Sequence, residues 1–331
     1  MLTRDYFNSL AMNFYDWCKY PAVKYKILFH FLEAPSDNKK LAELRQEFLY
    51  SDIVNQLYEM QSPYGDWGPL RTKDYSCKSV FPTTMVAIER CLYIGLTLED
   101  KDILLLALDY LEEILKGTSR IRLYNRNERA VPWQMCDIAS LIERIKPNNL
   151  LCDKLWNEWN YIASRAFEDG EYSHERDKKA QHEVLLTRED RLIPLPLNLL
   201  LTRPMEMHIP LEKALLNYYG RHAYYNGYFW DKSLDSLPDI FAANKTRRYF
   251  HAIKYINQFR YTDKYLEETI EWLLKNKNSD ALWNYGTQTK DPWGYFGYFS
   301  TNNNYKYNNL VDCTMEVLSI FKTFLDHNPK E

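Results

Sequence analysis

The segment Gln61-Ser62-Pro63-Tyr64-Gly65-Asp66-Trp67-Gly68 decides the predicted fold, because it joins a helix-ending glycine to an aromatic residue two positions later. It follows a stretch that is predicted to be one long helix, 38–60. A glycine at a helix end can adopt positive φ, and the aromatic side chain can then fold back and seal a helical hairpin against its neighbour. We therefore expect each such segment to close one hairpin.

Three later segments repeat parts of this pattern at a regular spacing. Their aromatic residues are Tyr172, Phe229 and Trp283, and the successive gaps from Trp67 are 105, 57 and 54 residues. Half of the first gap is close to the other two, which predicts a degenerate copy near 117–123. A period of roughly 50–57 residues suits two helices and their loops. We expect these aromatic residues to be structural seals rather than pocket walls.

Hydrophobic periodicity predicts twelve helices and few strands. Six inner and six outer helices give the predicted fold class, all-α, an (α/α)6 toroid of six helical hairpins in a single domain, 1–331. An open superhelix of stacked hairpins is the alternative. The predicted inner helices are 22–33, 80–95, 132–146, 190–202 (its start delayed by Pro194 and Pro196), 239–259 and 306–326. The predicted outer helices are 4–17, 38–60, 102–115, 149–166, 207–221 and 262–276.

Composition and charge exclude several classes of protein. The hydrophobic fraction is 46 % and the charged fraction 26 %, as in globular proteins. No apolar run approaches the ~18 residues that would span a bilayer, so no transmembrane segment is expected. The net charge of −3 speaks against nucleic acid as a partner. Aromatic residues make up 15 % of the chain, which favours a small apolar or amphipathic ligand in an aromatic-lined cavity.

The cysteines and the first residues predict a cytoplasmic protein. Residues 1–6 do not have the basic region and apolar core of a secretory signal. The six cysteines are scattered, and in a chain of this length we expect them to be free, mostly buried thiols. Neither cysteines nor histidines occur at metal-ligand spacing, so no metal or other cofactor is predicted. The oligomeric state is left open.

The pattern Gln61-x-x-x-Gly65-x-Trp67 resembles the Q-x-x-x-G-x-W repeat of the prenyltransferase and squalene-cyclase superfamily. The segment from Pro21 onward to Gln61 also looks like the opening of uncharacterised bacterial proteins with this repeat. The resemblance extends over nearly the whole chain in architecture and is specific within 21–68. It implies a terpenoid-cyclase-like toroid whose central cavity takes an apolar, isoprenoid-like ligand.

The catalytic motifs of that superfamily are missing from this sequence. It contains neither the D-x-D-D pattern of class II terpene cyclases nor the D-D-x-x-D pattern of class I synthases. Protein prenyltransferases hold zinc with separated Asp and Cys residues and a later His. Here Asp312 and Cys313 are adjacent, and the later histidine is His327. The resemblance therefore leaves open whether the protein is an enzyme.

Four aspartates lie near the starts of predicted inner helices, at positions 137, 190, 239 and 312. In a toroid these starts could converge on one rim of the cavity, where paired carboxylates could act as acid and base on a glycoside. The alternative is that they cap their helices and compensate the helix dipole. Asp312 lies in the apolar stretch 310–315 and is the strongest candidate. The candidate catalytic residues are Asp312, Asp239 and Asp137.

Candidate ligand-binding residues come mainly from an aromatic loop and a basic helix. The stretch 291–299 holds five aromatic residues and two glycines, which suits either a substrate platform or a cover packed over the toroid. The basic cluster 245–254 suits either a diphosphate group or a solvated surface. The predicted ligand-binding residues are Trp133, Arg247, Trp293, Tyr295, Phe296 and Cys313.

Three functions remain open at this point. The first is a prenyltransferase-like or terpene-cyclase-like protein that binds an isoprenoid-like ligand in its cavity, with or without catalysis. The second is a carbohydrate-active (α/α)6 enzyme that uses paired aspartates. The third is a non-catalytic scaffold whose ring is filled by its own side chains. His174 and His182 lie in a predicted charged loop, 173–190, and are expected to be surface histidines.

Overall fold

The computed structural model describes residues 2–71, 80–117, 130–185, 192–221, 233–234, 236–261, 263–286, 299 and 304–327. These residues form an all-α chain without a β-strand. Its α-helices are α1 (Arg4–Trp17), α2 (Pro21–Lys26), α3 (Lys39–Leu49), α4 (Asp52–Met60), α5 (Thr84–Ile94), α6 (Ile103–Leu115), α7 (Ala130–Ile145), α8 (Leu150–Ala166), α9 (His174–Leu185), α10 (Leu197–Leu200), α11 (Ile209–Arg221), α12 (Asn244–Ile256), α13 (Asp263–Lys275) and α14 (Tyr305–His327).

Most of the predicted helices are present where the hydrophobic periodicity placed them. Helix α1 has the predicted bounds, and α6, α7, α8, α11, α13 and α14 begin and end within two residues of the prediction. Local capping explains two of the starts. The Thr3 hydroxyl accepts a hydrogen bond from the Tyr6 N–H at 3.2 Å, and the Asn149 side chain accepts one from the Leu151 N–H at 3.1 Å.

The long helix predicted over 38–60 is wrong, because the chain forms two helices there, α3 and α4. The break lies at Tyr50 and Ser51. The Ser51 hydroxyl donates to the Phe48 carbonyl at 2.6 Å, and the Asn55 N–H donates to the Ser51 carbonyl at 3.0 Å. A serine hydroxyl that bonds a nearby backbone carbonyl competes with the hydrogen bonds of the helix. Ser51 therefore ends one helix and begins the next.

Three of the predicted inner helices begin later than expected. The helix predicted from 190 is reduced to the single turn α10, and the preceding Pro194 and Pro196 delay it as anticipated. The helices predicted from 80 and 239 begin at Thr84 and Asn244. The helix predicted over 22–33 is α2 followed by a π-helical turn, Ile27–Phe31.

The predicted charged loop over 173–190 is also wrong in part, because residues 174–185 form helix α9. Its inward face includes Asp177, Ala180 and Gln181, at the helical spacing i, i+3 and i+4. Two of these inward residues are polar. The hydrophobic periodicity that identifies an amphipathic helix was therefore absent from the sequence.

The chain divides into two compact units. The first unit comprises Met1–Ala107, Leu237–Phe250 and Leu266–Glu331, and the second comprises Leu108–Ser236 and His251–Tyr265. That the whole chain forms one domain stays a prediction. The described cysteines, Cys18, Cys91, Cys136, Cys152 and Cys313, are buried and free, as predicted, while Cys77 lies outside the described residues. No helix in the described ranges is both long and apolar enough to cross a membrane.

In the first unit, the helix that begins the chain packs against the helix that ends it. Trp17 of α1 stacks on Tyr307 of α14, with ring centroids 4.8 Å apart. The Tyr307 hydroxyl accepts a hydrogen bond from the Lys19 N–H at 2.7 Å. At the other end of α1, Arg4 pairs with Asp326 at 2.9 Å. The two ends of the described chain are therefore held together.

In the second unit, a buried ion pair joins α7 and α8 to the turn after α10. The Arg203 guanidinium donates to both Glu143 carboxylate oxygens, at 2.6 and 3.2 Å, and to the Asn149 carbonyl at 3.2 Å. The Glu143 carboxylate also accepts the backbone N–H groups of Asn148 and Asn149. These bonds compensate the desolvation of a nearly buried pair of charges.

Candidate functional site

The turn that carries Gln61, Gly65 and Trp67 is a hydrogen-bonded seal between helices of the first unit. The Trp67 indole N–H donates to the Leu57 carbonyl at 2.8 Å, and the Trp67 backbone N–H donates to the Thr84 hydroxyl at 3.0 Å. The Gln61 side-chain amide donates to the carbonyls of Gly65 and Ile103, at 3.1 and 2.9 Å. The indole is buried. The expected role of Trp67 as a structural seal is thus confirmed.

A second copy of this turn, at Trp283, repeats the same bonds. The Trp283 indole N–H donates to the Leu273 carbonyl at 2.7 Å, which is again ten residues earlier, and its backbone N–H donates to the Thr314 hydroxyl at 3.1 Å. Ala281 has φ +59°, at the position that Gly65 occupies with φ +89°. The geometry of the repeat is therefore conserved between the two copies although the sequence retains only the tryptophan.

The third copy, at Tyr172 in the second unit, is built differently. Gly170 has φ +85°, and its N–H donates to the Phe167 carbonyl at 2.8 Å. The Tyr172 hydroxyl donates to the Asp177 carboxylate at 2.8 Å, and the ring is only half-buried. Near the predicted degenerate copy, Gly117 has φ +70°. Residues 118–123 and Phe229 lie outside the described residues.

Five aromatic side chains of the first unit form what we call the ring cluster: Phe241, Tyr249, Phe250, Trp272 and Tyr285. Phe241 contacts Trp272 and Tyr285 with centroids 5.0 and 5.8 Å apart. Phe250 lies 4.9 Å from Tyr285 in an edge-to-face arrangement, and Tyr249 lies 5.9 Å from Trp272. Tyr249, Phe250 and Tyr285 are buried, whereas Phe241 and Trp272 are half-buried. The cluster therefore presents aromatic surface at its edge.

Tyr285 links the ring cluster to polar side chains of α14. Its hydroxyl donates to the Glu316 carboxylate at 2.7 Å, and its side chain is also hydrogen-bonded to the Cys313 thiol. Burial raises the pKa of the Cys313 thiol well above its ordinary value. At neutral pH this thiol is protonated, so it is neither a thiolate nucleophile nor a ready metal ligand. Cys313 therefore contributes packing and one weak hydrogen bond.

The structure places the three candidate catalytic aspartates in different surroundings. Asp312 is buried on α14, next to Cys313, in the first unit. Asp137 is buried on α7 in the second unit, where its carboxylate accepts a hydrogen bond from the Asn198 amide at 2.8 Å. Asp239 is exposed and lies five residues before α12, so its predicted position at a helix start is wrong. Asp190 lies outside the described residues.

The predicted ligand-binding residues are described only in part. Trp133 is half-buried on α7, and Cys313 is fully buried on α14. Arg247 lies on α12, but its side chain is outside the described atoms. Trp293, Tyr295 and Phe296 lie outside the described residues, so the predicted aromatic platform stays a prediction. No group of acidic, cysteine or histidine side chains in the described ranges is arranged to hold a metal ion.

Two surface concavities lie in the second unit. One is an open surface along α9, and its described lining comes from that helix alone. The other, of about 60 Å³, lies beside the third copy of the turn, between the end of α8 and α11. Its described lining includes Gly170, Tyr172, Tyr218 and Arg221. The described lining of both concavities includes none of the predicted ligand-binding residues.

The residues that organise the ring cluster were not among the predicted site residues. Tyr285 could have been found, because it follows Trp283 by two residues and so continues the repeat segment. Trp272 lies on α13 beside the buried apolar positions of that helix, where a half-buried aromatic residue gives no separate signal. Phe241 precedes α12 in a non-helical segment that had been predicted to be helical. Its place in the cluster depends on tertiary contacts alone.

Comparison of the chain with known proteins found no matching family model, no matching curated protein and no matching solved structure.

Proposed function

We propose that the protein is an (α/α)6 toroid similar to the prenyltransferase and squalene-cyclase superfamily, and that it binds an apolar, isoprenoid-like ligand. Two observations support the architecture. The contact of α1 with α14 is what closure of a ring requires, because in an open superhelix the first and last helices are far apart. The matching bonds of Trp67 and Trp283 support a repeated hairpin.

The ring cluster is the observation that supports an apolar, isoprenoid-like ligand. Its half-buried members, Phe241 and Trp272, keep part of their aromatic surface exposed beside the buried rings of the cluster. When an apolar ligand covers these rings, the covered surface is removed from water. Each Å² buried in this way contributes about 25 cal/mol to the free energy of binding. Aromatic faces also attract positive charge through their quadrupoles, as an isoprenoid carbocation would require. The proposal is a binding function, and it assigns no reaction to the protein.

The direct test is thermal unfolding of the purified chain against a ligand panel. The panel contains prenyl diphosphates of increasing chain length, neutral terpenes and oligosaccharides, each with and without magnesium. A ligand that binds only the native state raises the unfolding midpoint, and it adds about 2.7 kcal/mol of stability at a hundredfold excess over Kd. We expect a rise that grows with prenyl chain length and is absent with oligosaccharides.

A pair of aromatic variants locates the site. Trp272→Ala removes a half-buried side chain of the ring cluster, and Phe29→Ala removes an exposed aromatic side chain of the same unit that stacks on Tyr25. We expect Trp272→Ala to reduce the ligand-induced rise severalfold, and Phe29→Ala to retain it relative to its own unliganded midpoint. Equal rises in both variants would overturn the placement of the ligand on the ring cluster.

The scaffold function is the second candidate, and one observation favours it. Asp312 and Cys313, both predicted to face a ligand, are 1 % and 0 % exposed, so their surroundings are filled by the protein's own side chains. If no member of the panel raises the midpoint, this candidate replaces the first. A rise with oligosaccharides alone would instead favour a carbohydrate-active protein.

A further inference from the structure

The first repeat turn places apolar side chains on the surface of the first unit. Tyr64 is 79 % exposed and Leu105, on α6, is 41 % exposed. Met60, the last residue of α4, is exposed as well. The turn touches α6 where Gly65 meets the Leu106 carbonyl, and this point is one residue away from both Tyr64 and Leu105. We call Met60, Tyr64 and Leu105 the turn face.

The conformation of the turn does not require a tyrosine at position 64. The Tyr64 backbone N–H donates to the Ser62 hydroxyl at 3.1 Å, while most of the side chain is in water. In the other two described copies, the residue before the left-handed position is an aspartate, Asp169 or Asp280. Aspartate is a common turn residue, because its short side chain bonds nearby backbone groups. A tyrosine in its place adds aromatic surface to the outside of the turn, and tyrosine is enriched where proteins contact one another.

The charge around the turn face is negative. Between residues 52 and 70 the sequence holds three carboxylates and neither lysine nor arginine. Glu59 and Asp66 belong to this stretch, and Asp102 is exposed immediately before α6. The hydrogen bond from the Gln61 amide to the Ile103 carbonyl brings the start of α6 against the turn. The turn face therefore favours an occupant that carries positive charge.

The described bases that flank this stretch are engaged elsewhere. Lys101 donates to the Asn55 side chain at 2.9 Å, and its ammonium group lies 5.1 Å from the centre of the Tyr50 ring. The Arg71 guanidinium bonds the Met85 sulfur at 3.0 Å. The contact of Lys101 with Tyr50 is an example, in the same unit, of a positive charge held against a tyrosine ring.

We propose that the turn face docks a basic, amphipathic peptide segment of a partner protein. An arginine or lysine of that segment lies on the Tyr64 ring, and its charge faces Glu59 and Asp102. An adjacent apolar side chain of the segment covers Leu105. The negative charge of this surface disfavours nucleic acid and anionic membranes as occupants. The inference is independent of the proposed ligand, because the turn face and the ring cluster have no residue in common.

Fluorescence anisotropy with a labelled peptide of alternating arginine and leucine tests this face. We expect the double variant Tyr64→Ser/Leu105→Ser to bind about tenfold more weakly than the parent, because it removes the aromatic and apolar contacts. The matched control is Tyr161→Ser, which removes an exposed tyrosine on α8 of the second unit. Its affinity for the peptide should equal that of the parent.

A second double variant tests the charge separately from the apolar contacts. Glu59→Gln/Asp102→Asn keeps the shapes of two exposed side chains and removes their negative charges. Asparagine also tolerates the left-handed backbone of Asp102, which has φ +56°. We expect this variant to bind the peptide severalfold more weakly, and with less dependence on salt, than the parent.

Three outcomes would overturn the proposal. The first is absence of peptide binding by the parent, or equal binding by the parent and Tyr64→Ser/Leu105→Ser. The second is equal binding of a peptide that carries serine in place of leucine, because attraction would then depend on charge alone. The third is a parent dimer that the same double variant abolishes, which would assign the turn face to a second copy of this chain.

Discussion

Gly65 lies where the first repeat turn approaches the backbone of α6. An added Cβ atom at Gly65 would lie 2.0 Å from the Leu106 carbonyl oxygen, which is far inside van der Waals contact. Its φ of +89° is a second reason for glycine. At Gly170, by contrast, φ is +85° but the space around the added Cβ is open. The two glycines therefore share one conformational requirement and differ in packing.

This difference predicts unequal effects of alanine at the two positions. Gly170→Ala should lower the free energy of unfolding by about 1–2 kcal/mol, the cost of left-handed backbone for an L-residue. Gly65→Ala should lower it by about 3–5 kcal/mol, because the α6 backbone must also move. Urea unfolding of both variants measures the difference. Equal losses would contradict the close approach of Gly65 to α6.

The indole bond of Trp67 gives a second residue-scale prediction. Trp67→Phe keeps an aromatic ring but leaves the Leu57 carbonyl without the indole donor that bonds it at 2.8 Å. We expect a loss of about 2–4 kcal/mol from the unmet acceptor and the smaller ring. Trp17→Phe, at a half-buried position, should cost less than about 1 kcal/mol. Denaturant unfolding of Trp67→Phe and Trp17→Phe measures both losses of stability. Similar losses would contradict the role of the Trp67 indole bond in sealing the turn.

Asp177 and Asp169 should contribute to the free energy of unfolding with opposite pH dependences. Burial raises the pKa of Asp177, so folding disfavours its charged form. Its favourable contribution is present below the unfolded pKa of about 3.9 and is lost as the pH rises through the folded pKa. A hydrogen bond from Arg176 lowers the pKa of Asp169 to about 2. That contribution is present above about pH 3.9 and is lost as the pH falls toward about 2.

Unfolding measured between pH 2 and pH 7 separates these contributions. Relative to Asp177→Asn, the parent should become less stable as the pH rises from about 4. Relative to Asp169→Asn, the parent should become more stable as the pH rises from about 2 to about 4, and the difference should stay constant above that. Parallel curves for the parent and Asp177→Asn would show that the Asp177 carboxyl is not desolvated.

At the scale of elements, the ion pair of Arg203 and Glu143 determines how α7, α8 and the turn after α10 meet. Arg203→Met should lower the free energy of unfolding by about 3–5 kcal/mol, because it leaves the Glu143 carboxylate buried without its guanidinium. The double variant with Glu143→Gln should recover part of this loss, since the remaining buried group is neutral. Urea unfolding of the single and double variants measures these losses. If the loss in the double variant equals the sum of the losses in Arg203→Met and Glu143→Gln, the two residues are not coupled.

Helix α9 shows what hydrophobic periodicity misses at this scale. Its inward positions carry Asp177 and Gln181. The Asp177 carboxylate accepts hydrogen bonds from the Gln181 amide and from the Tyr172 hydroxyl. A buried polar network therefore replaces the apolar stripe that identifies other helices. By contrast, α1, α8 and α14 have buried apolar positions at helical spacing, and their bounds were predicted closely.

At the scale of the whole molecule, the proposed toroid depends on the packing of α1 against α14 within the first unit. Phe14 of α1 is fully buried and contacts Trp17, which stacks on Tyr307 of α14. Phe14→Ala should cost about 3–5 kcal/mol, as for other buried aromatic residues. Met12→Ala, on the exposed side of α1, should cost less than about 1 kcal/mol. Equal costs in thermal or urea unfolding would show that α1 is not docked.

The sequence by itself determined the all-helical class, the bounds of seven helices to within two residues and the structural role of Trp67. These features depend on residues close in the chain: periodic apolar positions, caps such as Asn149, and a glycine two residues before a tryptophan. The equivalence of Trp283 was indicated only by its position in the repeat. The three candidate catalytic aspartates were chosen by a local rule, proximity to a helix start, and that rule misplaced Asp239.

Only the tertiary structure decided which side chains meet. Phe241 and Trp272 join the ring cluster, and Tyr285 connects it to Cys313 and Glu316, through contacts between residues far apart in the chain. That His174, Lys178 and His182 share one side of α9 emerged only once that segment proved helical. The physical reason is the same in both cases. Local propensity selects helices, whereas burial and hydrogen-bond partners from other elements decide which face of each helix is covered.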